Sequence, residues 1–130
     1  MRERITSASR YEEAYGFCRA MRVGDRIEVA GTAPIPQDGS EPPESPYDQT
    51  ILCGRIAVGA IESLGGTVDH VVRTRMYITN TIDSDEIGRA HGELFGTAKP
   101  VATMVVVKGL LDRRWKVEIE VEAVLSSQES

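Results

Sequence analysis

Cysteine is scarce in this chain: Cys18 and Cys53 are the two among 130 residues. Two thiols are too few for the disulfide framework of a small secreted domain, and no CxxC or Cys/His cluster marks a metal site. No run approaches the roughly 20 apolar residues of a membrane span. The opening residues Met1-Arg2-Glu3-Arg4-Ile5-Thr6 carry charges and no apolar stretch of the signal-peptide kind. A cytoplasmic chain without metal or cofactor is therefore expected. Excess positive charge is missing too, since 15 basic against 20 acidic side chains leave a net −5. Such a surface repels a phosphate backbone, which argues against nucleic acid as a partner.

What remains is an ordinary globular balance, 41% hydrophobic and 27% charged, at a length that suits one domain with its own core (about 100–150 residues is typical). Residues 1–130 are read as a single domain. The one loop-rich stretch, residues 33–46, holds Pro34, Pro36, Asp38-Gly39, Pro42-Pro43 and Pro46. Proline removes backbone donors and Asp-Gly favours tight turns, so a surface excursion is expected there.

Periodicity supplies the elements. Residues 17–23 and 26–31 read as a β-hairpin joined through Gly24-Asp25, with Ile27 and Val29 opposed to Arg26 and Glu28. Ser45-Pro46-Tyr47-Asp48 has the form of a helix start: a capping serine, proline at the first position and an acid in the first turn. Apolar residues from Tyr47 to Leu64 then recur at helical spacing, and Gly65-Gly66 supplies the stop. Residues 70–79 form a strand with Val72, Thr74, Met76 and Ile78 on one face and Val71, Arg73, Arg75 and Tyr77 on the other. Asp83 to Glu86 is a second capping signal, leading to a helix that carries Ile87, His91 and Leu94 and ends at Gly96. Residues 100–108 and 115–125 are the last strands, the final one alternating Val117, Ile119, Val121 and Ala123 against Glu118, Glu120 and Glu122. The predicted fold is α+β, ββαβαββ, a mixed, mostly antiparallel sheet with two helices on one face.

Two helices cover one face only. The strand at 103–108 is apolar on both, with Val105 and Val107 opposed to Met104 and Val106, and two apolar faces imply two covers. Partner subunits in a closed symmetric homo-oligomer would supply the second.

Several segments carry a resemblance to the RidA/YjgF (L-PSP) family of imine deaminases. They are Arg22-Val23-Gly24-Asp25, Val29-Ala30-Gly31-Thr32-Ala33-Pro34-Ile35, Gly65-Gly66, the strand from Val71 to Thr79, His91-Gly92-Glu93-Leu94-Phe95-Gly96, Pro100, and Val117-Glu118-Ile119-Glu120. The resemblance implies a chorismate-mutase-like homotrimer with small-molecule clefts between subunits. It also implies hydrolysis of reactive enamines or imines to a keto acid and ammonia. The family arginine that forks onto a substrate carboxylate lies two residues after a proline; here Pro100-Val101-Ala102-Thr103 puts Ala102 there. The family tyrosine falls on Phe17, the serine on Ala30 and an asparagine near Gly88 or Arg89, whereas Glu120 matches the glutamate that handles water or protons.

Glu120 is thus the expected catalytic residue, a general acid/base in a partly desolvated cleft; the plainer alternative pairs it with Arg73 or Arg75. Arg19, Arg73 and Arg75 are candidate anion ligands in place of the missing arginine, Arg19 first, with ion pairing inside the sheet as the alternative. Phe17, Ala30, Ala102 and Trp115 are expected to line the cleft. His91 reads as a half-buried helix residue and Cys18 as a small buried hydrophobe. The competing function is a non-catalytic trimer that binds a small metabolite. A ribonuclease role, a label some relatives carry, is disfavoured by the acidic balance and the lack of a basic-aromatic surface.

Overall fold

Among residues 1–127, which the computed structural model describes, the strands join into one six-stranded sheet. The elements are β1 (Arg2–Ile5), α1 (Arg10–Tyr15), β2 (Ala20–Val23), β3 (Arg26–Thr32), α2 (Pro46–Ser63), β4 (Val71–Ile78), α3 (Ser84–Phe95), β5 (Val101–Val106) and β6 (Val117–Val124). Their order across the sheet is β1-β2-β3-β6-β4-β5. Every neighbouring pair is antiparallel except β4 with β5.

Helix α2 lies over β3 and β6, and α3 packs beside it. Its start is as the sequence predicts: Ser45 accepts from the Asp48 amide at 2.9 Å, and Pro46 opens the first turn. The core lies between helices and sheet, where Ile27, Ile61, Ile78, Ile87, Phe95 and Ile119 are all at 1% exposure or less. Val117, Ile119, Val121 and Ala123 face it in unbroken alternation, as predicted.

Four readings need correction. The predicted order lacks β1 and α1, because Arg2-Glu3-Arg4-Ile5 shows no alternation and six helical residues are too few for a 3.6 period. The hairpin's first strand begins at Ala20 rather than residue 17. Gly16, at φ 79°, closes α1, and the amides of Gly16 and Phe17 both donate to the Glu12 carbonyl at 2.9 Å, which holds Phe17 on the helix end. Val71 is in the core at 3% exposure, not on the outer face with Arg73, because the β4–β6 register shifts between these two residues. Asp83 makes no side-chain cap. A 3₁₀ turn, Thr81–Asp83, capped by Asn80, runs straight into α3 and leaves Asp83 at helical angles, where its carboxylate cannot fold back.

Strand β5 takes the edge of the sheet beside β4 alone. Val101, Val105 and Val106 are 57%, 42% and 54% exposed, with only Met104 packed on the core, so the apolar pattern seen in sequence belongs to a bare edge. On the outer face Glu122 pairs with Arg75 (2.8 Å) and Arg26 (3.4 Å), while Tyr77 donates its hydroxyl to Glu120.

Candidate functional site

Helix α1 and strand β3 are joined by a buried arginine. Arg19 Nε meets Glu12 Oε2 at 3.2 Å, and Nη1 donates to the Gly31 carbonyl (2.5 Å) and Thr32 Oγ1 (3.0 Å). Both charged side chains are only 5% exposed. Ser7 completes the arrangement, its amide and hydroxyl donating to the Glu12 carboxylate. Arg19 is therefore a structural tie. Its Nε and Nη1 are occupied within the chain, which counts against the expectation that it is an open anion ligand.

Beneath α1 lies a half-open recess of about 70 Å³. Tyr11, Tyr15, Phe17 and Trp115 supply aromatic rings to its walls, beside aliphatic Ile35, Ile56 and Leu111 and polar Ser7, Ser9, Thr32 and Gln37. Trp115 is buried and meets the Tyr11 ring edge-on, centroids 5.9 Å apart. The Trp115 amide donates to the Asp112 carbonyl at 3.0 Å, and Arg114 closes the same turn on the Asp112 carboxylate at 2.7 Å, holding that acid down to about 2. Gln49 secures the start of β6 from α2: its amide nitrogen donates to the carbonyls of Pro43 and Arg114, and its oxygen accepts from the Lys116 amide at 2.8 Å. A wider recess of about 360 Å³ adjoins this one, sharing Tyr11, Ile35 and Trp115 and reaching Arg10 and Arg114.

At the inner end stands Glu118. Its carboxylate lies over Gly31, where a Cβ would overlap Oε2. It makes no hydrogen bond among the described residues. Burial pushes its pKa above the ordinary value, with Glu120 adding to the rise and the nearby Arg19 guanidinium opposing both. A half-buried carboxyl group without a fixed partner in an aromatic recess can take or give a proton, or hold a cation.

The residues predicted from sequence divide between places. Phe17, Arg19 and Trp115 share the recess beneath α1 with Glu118. Phe17 also borders a wide open cleft of about 820 Å³, where it meets Ala30 and Glu120. Glu120 therefore lies outside the recess beneath α1; a shallow depression over Gly31 and Tyr77 links it to Glu118. Arg73 and Ala102, on β4 and β5, line none of these recesses: Ala102 is exposed, in register with Thr74 at the sheet edge. Glu120 takes Tyr77 as its partner, not Arg73 or Arg75. His91 is half-buried, with Nε2 2.7 Å from Thr74 Oγ1, and burial lowers its pKa. The Cys18 thiol donates to the Ala20 carbonyl at 3.4 Å.

Sequence reasoning missed Glu118, Tyr11, Tyr15 and Gln49. Gly31 opposite the β6 glutamates was the available signal for Glu118. Among the described residues no group of three or more His, Cys, Asp or Glu could hold a metal, and no helix is long and apolar enough to cross a membrane.

Comparison with known proteins agrees with this architecture. The family model described as Endoribonuclease L-PSP matches residues 7–125. An uncharacterized protein of Streptomyces coelicolor, SCO2049, is 42% identical over 127 residues, 98% of this chain and 95% of that one. A RutC family protein of Pyrococcus abyssi is 29% identical over 109 residues, covering 83% and 84%. The crystal structure of Rv2704 from Mycobacterium tuberculosis, a member of the YjgF/YER057c/UK114 family, is similar with a TM-score of 0.85 at 36% identity, covering 95% of this chain and 99% of that one. In sequence and fold alike, along nearly its whole length, the chain belongs to the RidA/YjgF (L-PSP) family.

Proposed function

We propose that the chain hydrolyses small reactive imines or enamines, with Glu118 rather than Glu120 as the carboxylate that handles water. The observation that carries this reading is the placement of Glu118: half-buried, free of hydrogen bonds within the described chain, raised in pKa, and facing an aromatic recess. A carboxylate so placed takes a proton from water as its oxygen bonds to the C=N carbon. It then returns that proton to the carbinolamine nitrogen, and as the C–N bond breaks the hydroxyl proton passes to the freed carboxylate or to water, leaving a carbonyl compound and ammonia. An enamine enters the same route after protonation at carbon.

The assembly proposed with it is a homotrimer in the cytoplasm, with the ligand site completed between subunits. Support comes from the exposed valines of β5 and from Ala102, which lies on the sheet edge away from the recess of its own subunit. A neighbouring copy is the route by which residue 102 approaches such a site.

The test is ammonia release from freshly generated acyclic imines and enamines, with and without carboxylates, compared with buffer. Glu118→Gln is expected to lower the rate by about 10²–10⁴-fold, the range for a general acid/base. No acceleration over buffer across the panel would favour the second reading, a trimer that binds a small metabolite without turning it over. That reading draws on Phe17, which has no hydroxyl, and on Ala102, which cannot bind a carboxylate.

A further inference from the structure

The charges around the recess beneath α1 do not balance. Among the described residues lining it, Arg19 and Glu118 are the charged ones. Arg19 is already neutralised by Glu12 at 3.2 Å and held by Gly31 and Thr32. Glu118 has neither an ion-pair partner within 4 Å nor a hydrogen bond among the described residues. The local sum of Glu12, Arg19 and ionised Glu118 is therefore one negative charge, set in a partly dehydrated pocket where a charge is screened less than at the surface.

Shape and walls point the same way. A volume of about 70 Å³ holds a head of a few heavy atoms, given that one water takes about 30 Å³. Tyr11, Tyr15, Phe17 and Trp115 contribute aromatic rings to the recess walls, and rings here accept cations, since the Arg10 guanidinium sits 4.8 Å from the Tyr11 centroid and that of Arg19 5.6 Å from Phe17. The adjoining recess past Trp115 leaves room for a longer body. A carboxylate entering the inner end would meet Glu118 across a small cavity whose one guanidinium already has a counter-ion.

Resting on the reading that this recess is the ligand site, we infer that it selects ligands with a cationic nitrogen head and no carboxylate beside it, and that Glu118 is the counter-ion. The substrate class is then a protonated imine or amine of the decarboxylated kind, not an α-imino acid. Burial raises the pKa of Glu118, so the ionised form that attracts a cation is depleted as pH falls.

Three ring compounds of like size separate the possibilities: pyrrolidinium carries the cation, cyclopentanecarboxylate the anion, and proline both. Calorimetric titration of the intact protein reads binding without turnover. Pyrrolidinium is expected to bind at least about tenfold more tightly than either carboxylate, the ratio that ~1.4 kcal/mol produces. Its affinity should decline from pH 8 to pH 5, although the ligand stays protonated throughout, and Glu118→Gln should remove both the preference and the pH dependence. The wild-type pH series keeps the test decisive should that variant fold poorly. Equal or tighter binding of a carboxylate, pyrrolidinium affinity unchanged in Glu118→Gln, or no pyrrolidinium binding at all would each overturn the inference. Failure to hydrolyse imines would count against the catalytic reading alone.

Discussion

Glu118 occupies the space that residue 31 leaves open. Gly31 lies in β3 and Glu118 in the adjacent strand β6, and a Cβ on Gly31 would overlap Glu118 Oε2. The backbone does not require glycine there: the glycines at positive φ are Gly16, Gly24, Gly39 and Gly65. What position 31 provides is room for a neighbour's carboxylate, and through it the polar end of the recess.

Gly31→Ala is therefore expected to act through contact, not backbone strain. The atom met is the far end of a flexible side chain, so the substitution should change stability by less than about 1 kcal/mol while turning the Glu118 carboxylate out of its place. Gly59, in α2, has nothing within 4 Å of its Cβ direction, so Gly59→Ala should hold or raise stability by about 0.5–1 kcal/mol. Thermal melts of both variants, with a pyrrolidinium titration of each, check this pair. Unaltered ligand binding in Gly31→Ala would show that the contact does not position Glu118.

The pH dependence of stability carries the signature of Glu118. Its folded pKa lies above the ordinary 4.5, so between the two values the folded chain binds the proton more tightly than the unfolded one. Its contribution is fully present below the unfolded pKa and is lost as pH rises through the folded pKa. Glu118→Gln should thus be more stable than wild type at pH 8, with the advantage vanishing near pH 4. Denaturation at the two pH values measures it.

Arg19 and Glu12 form a buried pair, and removing one partner leaves the other charged and dehydrated. Arg19→Ala is expected to cost about 3–5 kcal/mol. Arg73→Ala, which disturbs no ion pair seen among the described residues, should stay within about 0.5 kcal/mol. Urea unfolding of the two variants distinguishes a structural Arg19 from a ligand-binding one, because a purely ligand-binding arginine would be lost at little cost to the fold.

Strand β5 predicts the assembly. Lysine at Val101 and Val105 together would add two charges to an exposed edge and leave the core untouched. Sedimentation is expected to show three copies for wild type and one for the double variant, with circular dichroism unchanged. A single subunit for wild type at micromolar concentration would remove the trimer and the inter-subunit site with it.

Local signals were legible wherever a residue's role depended on its own segment. Ser45 and Pro46 start α2 because capping needs nothing beyond the first turn, and β6 alternates because its two faces meet different surroundings throughout. Val71 escaped because a register shift is a property of two strands, not one. Helix α1 escaped because six residues are held by Glu12 and Gly16 instead of by periodicity.

The sequence by itself determined the row of outward glutamates at 118, 120 and 122, which follows from period-two spacing within one strand, the class of fold, which follows from the order of the elements, and the resemblance to the family, which motifs spread along the chain carry. Only the tertiary structure decided which of these glutamates is without a partner among the described residues and which arginine is tied into the fold. In sequence the three acids are equivalent; in space Arg75 and Arg26 reach Glu122, Tyr77 reaches Glu120, and Glu118 lies over Gly31 beneath the aromatic rings of the recess. Desolvation and pairing depend on what folds over a residue, and that cover comes from segments as distant in sequence as Tyr11 and Trp115.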